Sequence, residues 1–227
     1  AQQLADRISQ IIAEGTFKAK DIVILMRSLS HANLYMDALR QRGIESVLSG
    51  GTGFGKLPEV QSIASLLMAL ADIHDTEQGL FPVLTSGMFS LEASDFILLA
   101  TNWGSEDGSL SKRGIESGLL SQEFQDDLQP SKRLERALEV LLQAREDIKS
   151  KHPADVLLQV VRASGWITRL ERGGAQERSQ AANILAAIRR IRELNEELQV
   201  GLTELAKEFS QWLEVTKIAP SVLNDEH

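Results

Sequence analysis

Cysteine is absent from the chain, so disulfide bonds and thiolate metal sites are excluded and the cytoplasm is the natural compartment. The histidines show no spacing of the kind that zinc sites use: they are His31, His74, His152 and His227. No apolar run approaches the roughly 20 residues needed to cross a bilayer, and the start of the chain is charged and amphipathic, unlike a signal peptide. We therefore expect a cytoplasmic protein with no metal site and no contact with membranes.

The chain also lacks a surplus of positive charge. Its net charge is −8, and residues 76–130 carry nine acidic against two basic side chains, whereas residues 131–227 carry fifteen of each. A protein whose main task is to grip phosphate backbones is expected to show a basic face, and the sequence shows no obvious one. With 227 residues, 43% of them hydrophobic, the chain is still long enough to bury a core.

Hydrophobic patterning predicts an α/β portion at the start of the chain. Residues 21–26 form a short apolar run, which is typical of a strand covered on both faces in a parallel sheet. A helix that ends near Gly43 follows, and residues 44–48 are the next candidate strand. This order predicts a β-α-β unit with a right-handed crossover.

From about residue 76 onward the pattern predicts helices alone. A strong helix at 59–73 precedes this portion, so the fold class is α/β followed by a larger all-α part, with a boundary near residue 75. Helices are expected near 79–86, 92–102, 131–150, 154–164, 175–198 and 202–217, with short ones at 115–120 and 123–128.

Residues 50–57 are similar to a phosphate-binding loop and depart from it at one position. The glycines and Lys56 fit the pattern G-x-x-x-x-G-K, but Leu57 stands where Ser or Thr would hold Mg²⁺. Pro58 also pushes Leu57 toward an extended conformation. We therefore expect a structural turn that binds no nucleotide.

A series of motifs in the first hundred residues carries a family resemblance: residues 21–27, Leu34 to Leu39, Gly43-Ile44, Gly50-Gly51 with Phe54, Glu59-Val60, and Leu66-Leu67 with Leu70. In order and spacing they resemble one stretch of the UvrD/Rep-like superfamily 1 DNA helicases. In that family the stretch lies in the second RecA-like motor subdomain, called 2A, from which a helical subdomain, called 2B, is inserted. The resemblance implies that residues 1–75 are a partial RecA-like 2A portion, that 76–217 are the 2B-like insertion, and that 218–227 are the linker returning to 2A.

Departures from the family pattern favour the AddA/RecB-type branch. Asn33 and Leu57 stand where housekeeping members usually carry Arg. Residues 83–91 look like the Leu-x-Ser-Pro-x-x-Gly-Leu segment of that branch, with Gly87 in the proline position and Ser90 in the glycine position.

The resemblance implies a parent protein that is an ATP-dependent 3′–5′ DNA helicase of DNA repair and recombination. Such a parent uses ATP and Mg²⁺ and binds DNA, and in this branch it works with an exonuclease and a second helicase-nuclease subunit. The chain itself lacks the Walker motifs and the arginine finger, so we expect it to be no enzyme in isolation. Its helical part would contribute regulation, duplex DNA contact or partner docking, and would turn about connections near 73–78 and 217–222.

Two sets of residues are candidates for contact with DNA or nucleotide, and none is a candidate catalytic group. The first is Arg27, Gly50, Gly51, Phe54 and Glu59, which lie near the ligand-facing edge of an α/β sheet; an exposed Phe54 could stack on a base. The second is Ser86, Gly87, Ser90 and Ser94, in a segment similar to a degraded helix-hairpin-helix, whose turn offers N–H groups to duplex phosphate.

Structural alternatives stand beside both sets. Arg27 could pair with Asp37 or Glu59, and the second set could serve packing. The basic cluster Arg189, Arg190 and Arg192 is interpreted as a salt-bridged solvated face, since acids follow at helical spacing. Two other functions stay open: a small nucleotide-binding enzyme that uses residues 50–56, and a helical protein-interaction module.

Overall fold

The computed structural model describes residues 1–15, 17–26, 31–46, 53–102, 111–122, 124 and 129–216. Helices dominate, and the chain divides into two compact units between Gly51 and Thr52. Within the described residues, no helix is long and apolar enough to span a membrane.

Among its described residues the first unit contains a 3₁₀ turn at Ala19–Asp21 and two α-helices. The helices are α1 (Gln2–Ala13) and α2 (Ala32–Arg40), which pack through Ala5, Ile8, Ala38 and Leu39. The guanidinium of Arg42 joins them, because it donates to the carboxylate of Asp6 at 2.7 Å and to the carbonyl of Ala38 at 2.8 Å. Ile12, Ile22, Ile24 and Ile44 pack partly buried against the same cluster.

The predicted β-α-β unit is not seen in this part of the chain. Residues 22–26 and 44–46 form no strand ladder among the residues that the structure describes. Their exposure alternates: Ile22 and Ile24 face the helices, whereas Val23 and Leu25 are 78% and 93% exposed. The expectation that residues 21–26 are covered on both faces is therefore wrong. Among the described residues of the first unit, only the face that carries Ile22 and Ile24 is covered.

The second unit contains the remaining elements, of which the helices carry the core. They are α3 (Pro58–Ala71), α4 (Phe81–Thr85), α5 (Ala93–Ala100), β1 (Thr101–Asn102), β2 (Ser111–Lys112), α6 (Ile115–Ser121), α7 (Lys132–Asp147), α8 (Pro153–Ala163), α9 (Trp166–Glu171), α10 (Ala175–Leu198) and α11 (Leu202–Val215). A 3₁₀ turn at Phe54–Lys56 precedes α3, and a π-helical turn at Thr76–Leu80 precedes α4.

Helix α3 lies at the centre of this unit. Pro58 occupies its first turn with a φ suited to a helix start, and the apolar residues that follow are buried on nearly every side. The helix packs against α10, α11 and the π-helical turn. Buried residues from Phe54 to Leu213 consequently form one continuous core.

This core changes the domain boundary that patterning predicted near residue 75. Patterning places the helix at 59–73 with the first 75 residues, whereas the structure groups α3 with the later helices. Just after the predicted hinge at 73–78, a Cβ on Gly79 would lie 2.8 Å from the backbone nitrogen of Ala69, so the chain there packs closely on α3. The hinge itself stays a prediction. The assignment to subdomains 2A and 2B stays a prediction, and residues 218–227 lie outside the described residues.

The helices predicted after residue 76 are largely confirmed, and the structure differs from the prediction in two elements. The strands β1 and β2 form a two-residue antiparallel ladder that pairs Thr101 with Lys112, where only helices were predicted. Such a ladder is too short to leave a period in the sequence. Helix α9 was also not predicted, because its six residues are fewer than two turns. The predicted helix at 123–128 lies largely outside the described residues.

A polar network around the buried carboxylate of Asp147 fixes α7 against α8. The carboxylate of Asp147 accepts from Gln143 at 3.1 Å and from Gln159 at 2.8 Å, and it pairs with the ammonium of Lys151 at 2.9 Å. The Lys151 hydrogen bond lowers the pKa of Asp147 most, and the two glutamines lower it further, while burial acts in the opposite direction. The network thus holds the C-terminal end of α7, whose N-terminal end carries the basic residues described below.

We predict that Gly55→Ser lowers the free energy of unfolding by about 1–3 kcal/mol, because a Cβ there would overlap the carbonyl of Leu213 on α11. Urea denaturation of the purified chain measures the change. The matched control is Gly201→Ser, where a Cβ meets open space at the first residue before α11, a position that favours serine. Equal stability of the two variants would contradict the close approach at Gly55.

Candidate functional site

The first set of candidate residues is mainly structural where the structure describes it. Phe54 is 2% exposed and packs edge-on against Trp212, with ring centroids 6.1 Å apart, so it cannot stack on a base. Gly55 lies directly against the backbone of Leu213 on α11. Arg27, Gly50 and Gly51 lie outside the described residues.

The segment that is similar to a phosphate-binding loop ends at Leu57, which lacks the hydroxyl that would hold Mg²⁺. Leu57 is extended, at φ −67° and ψ 132°, and Pro58 begins α3, as the sequence predicted. The 3₁₀ turn that contains Gly55 is packed on α11, so its backbone is not free to wrap a phosphate group.

Glu59 is a core residue and not a ligand-facing one. It is 6% exposed, and its Oε1 accepts a 3.0 Å hydrogen bond from Nδ2 of Asn183, which is also buried. The pair links the first turn of α3 to α10. In that first turn, the carboxylate of Glu59 also interacts favourably with the dipole of α3. Its predicted proximity to nucleotide or DNA is therefore corrected to a structural role.

Three residues of the second set of candidates, Ser86, Gly87 and Ser90, lie on a turn between α4 and α5. Ser86 organises this turn: its Oγ donates to the carbonyl of Val83 at 2.7 Å and accepts from the backbone N–H of Met88 at 3.2 Å. The N–H of Ser90 donates to the carbonyl of Ser86 at 2.8 Å. Gly87 and Ser90 are exposed, whereas Met88 and Phe89 point into the core.

Ser90 has a left-handed backbone, with φ 53°. The family segment that this stretch resembles has glycine at this position, which adopts that conformation without the steric cost of a Cβ. The fourth member of the set, Ser94, is exposed on α5 and does not line the cleft described next.

Four basic side chains converge on this turn and form a cleft of about 350 Å³, which we call the basic cleft. Its lining residues are Met88, Phe89 and Ser90 from the turn, Lys132, Arg133 and Arg136 from α7, and Ser164 and Arg169 from the region of α9. No acidic side chain is among the described residues that line it. A chain with a net charge of −8 therefore carries a local cluster of four cations.

Backbone carbonyls position two of the arginines. Arg169 donates to the carbonyls of Gly87 at 2.7 Å and Ser164 at 3.1 Å, which holds the turn against the segment between α8 and α9. Arg133 donates to the carbonyl of Ser90 at 3.0 Å. A Cβ at Gly87 would lie 3.0 Å from the indole nitrogen of Trp166, so the ring of Trp166 also packs closely against the turn.

Two acidic residues reach the cleft cations from outside the lining. Arg133 pairs with Glu92 at 2.6 Å, and Arg136 pairs with Glu139, one turn further along α7, at 2.8 Å. All four of these side chains are about half exposed or more, so each pair is partly screened by water.

Sequence reasoning found the turn but missed its cations. Positions 87, 133 and 169 are separated by tens of residues, and the acids interspersed among them conceal the local charge excess. The one available signal was the run of three basic residues in the first five positions of α7, at Lys132, Arg133 and Arg136, where the helix dipole would favour acids instead.

The prediction of a salt-bridged face on α10 is confirmed for Arg190 and Arg192, although with other partners than expected and, for Arg192, with a partner on α8. Arg190 pairs with Glu193 at 3.1 Å and Glu197 at 3.2 Å, and Arg192 pairs with Asp155 at 2.5 Å. The guanidinium of Arg190 also lies 5.4 Å from the ring centre of Trp212.

A second cleft, of about 360 Å³, is less suited to an anion. It is lined by Phe96, Ile97, Ala100, Thr101, Lys112 and Arg113. Its Arg113 donates to the carbonyls of Leu98 and Leu99 and so closes the C-terminal end of α5. Among the described residues, no group of three or more His, Asp or Glu side chains is arranged to hold a metal ion.

Comparison with known proteins adds no relative: no protein-family model matches the chain, and no curated protein matches it. The helicase resemblance therefore rests on the sequence motifs alone.

We predict that Ser90→Gly is more stable than Ser90→Ala by about 1 kcal/mol in urea denaturation. Both changes remove the Oγ, which donates to the carbonyl of Ser86 at 3.2 Å, so their difference isolates the cost of a Cβ at φ 53°. If alanine were as stable as glycine, the left-handed conformation of this residue would be in doubt.

We further predict that the chain binds no nucleotide, because Leu57 supplies no hydroxyl and Gly55 is packed on α11. Isothermal titration with Mg·ATP should show no heat above dilution. Micromolar binding that Lys56→Ala abolishes would overturn this expectation.

Proposed function

We propose that the chain is a non-catalytic part of a UvrD-like, ATP-dependent 3′–5′ DNA helicase of the AddA/RecB-type branch, and that its basic cleft contacts the phosphate backbone of duplex DNA. The motifs in the first hundred residues support the family. The parent would bind ATP and Mg²⁺, work in the cytoplasm, and act in repair and recombination beside a second helicase-nuclease subunit. Unwinding polarity and this partner follow from the resemblance.

The convergence of four cations on the turn at Ser86 to Ser90 carries the assignment of a DNA contact. Three come from α7 and one from α9, so only the folded unit brings them together. Guanidinium groups suit phosphate because they offer several N–H donors in one plane. The contact would be independent of base sequence, since phosphate contacts fix position and not sequence.

The lining favours duplex over single-stranded DNA. Proteins that hold single strands stack successive bases on exposed aromatic rings. The one aromatic residue among the described lining residues is Phe89, which is 5% exposed and belongs to the core. Backbone contact without stacking is what a duplex requires.

The same observations weaken the alternative of a small nucleotide-binding enzyme, because the loop that would serve it is packed on α11. Affinity of the chain alone should be low. Its overall charge opposes DNA, and two cleft arginines are partly neutralised by Glu92 and Glu139. We expect dissociation constants within or above the roughly 10⁻⁶ to 10⁻⁴ M range of non-specific binding at physiological salt.

Fluorescence anisotropy with a labelled DNA hairpin tests the proposal. At low salt, the double variant Lys132→Gln/Arg136→Gln should weaken binding several-fold and reduce the slope of log K against log salt by about 1.8, or 0.9 for each lost phosphate contact. Both residues are exposed and neither supports the turn through a carbonyl contact described above, so the fold should survive.

The matched control is Lys149→Gln/Lys207→Gln, which makes the same change in net charge at exposed positions away from the cleft. It should leave the salt slope nearly unchanged. Equal effects of the two double variants, or no binding of the wild-type chain at low salt, would refute the DNA contact.

A further inference from the structure

Glu92 and Arg133 join the two walls of the basic cleft. Glu92 follows the turn on the α5 side, Arg133 lies on α7, and their Oε1 and Nη1 atoms are 2.6 Å apart although 41 positions separate them in the chain. The other pair, Arg136 with Glu139, lies within one turn of α7 and ties nothing across the cleft.

Arg133 does not need Glu92 to stay in the cleft. Its Nη1 donates one hydrogen bond to the carbonyl of Ser90 at 3.0 Å and a second to Glu92. A guanidinium nitrogen of this kind has two hydrogens, so both are in use. A phosphate that binds at Nη1 must displace the carboxylate of Glu92, and one that binds the other N–H groups, on Nε and Nη2, meets the negative charge of that carboxylate close by. The bond to Ser90 keeps the guanidinium in place in either case.

We propose that Glu92 is a built-in competitor for DNA phosphate at Arg133, which keeps the affinity of the basic cleft low. This inference rests on the proposed function of the cleft. An exposed pair is worth little, so a backbone with several phosphates displaces Glu92 by binding Lys132, Arg136 and Arg169 at the same time. A single phosphate gains fewer contacts for the same displacement, so the competitor favours polyanions over free phosphate.

Glu92→Gln tests this inference by hairpin anisotropy at low salt, with Glu135→Gln as the matched control. Glu135 is an exposed acid on α7 that does not line the cleft, so its neutralisation changes the net charge equally without releasing Arg133. Glu92→Gln should tighten DNA binding about 2- to 5-fold more than the control does, which is the range of an exposed ion pair. In the background of Arg133→Gln this extra gain should vanish.

Glu92 also precedes the first residue of α5, so a second variant guards against a folding effect. Asparagine is neutral and favoured at this position, and Glu92→Asn should tighten binding as Glu92→Gln does. Thermal melting followed by circular dichroism verifies that each variant is folded before its affinity is compared.

The variants separate the role of Glu92 as a competitor from the DNA contact of the basic cleft. If Glu92→Gln, Glu92→Asn and Glu135→Gln bind alike while Lys132→Gln/Arg136→Gln still weakens binding, the competitor is refuted and the DNA contact stands. A gain that persists in the Arg133→Gln background also refutes it, since the gain would then be a general charge effect. If Lys132→Gln/Arg136→Gln has no effect, the DNA contact itself is refuted.

Discussion

The second unit depends on the close contact of α3 with α10 and α11. Gly55 allows the turn before α3 to touch the backbone at Leu213, and the buried pair of Glu59 and Asn183 fastens the first turn of α3 to α10. A side chain at position 55 would push this turn away, and a buried carboxylate without its donor would be costly. The residues that looked most like a ligand site are therefore the ones that hold the core together.

The basic cleft depends indirectly on this packing, because α10 connects α3 to the helices that line the cleft. Because α3 aligns α10, and α10 packs against α8 and α9, Arg169 reaches the carbonyl of Gly87 on a turn 82 positions earlier. Helix α7 packs against α8 and brings its basic first turn to the same place. A site of this kind is held by rigid elements on two sides, so its cations need not be ordered by the ligand itself.

Much of the fold could be predicted from the sequence, and the reason is periodicity. Helices α7, α8, α10 and α11 repeat their apolar residues over several turns, and the pattern found them within a few residues. Elements shorter than two turns, such as α9, carry no period. The strands expected at 21–26 and 44–48 show why a local pattern is insufficient: the alternation of exposure at 22–26 is compatible with a strand, but a strand forms only when another pairs with it.

By itself the sequence determined most of the helices among the described residues between 58 and 215, and the extended form of Leu57 before Pro58, because these depend on neighbours within a few residues. Only the tertiary structure decided that Phe54 and Glu59 are buried, that α3 belongs with the later helices, and that four separated cations meet at one turn. These outcomes depend on contacts between residues far apart in the chain, and no local pattern encodes which of several amphipathic faces will meet.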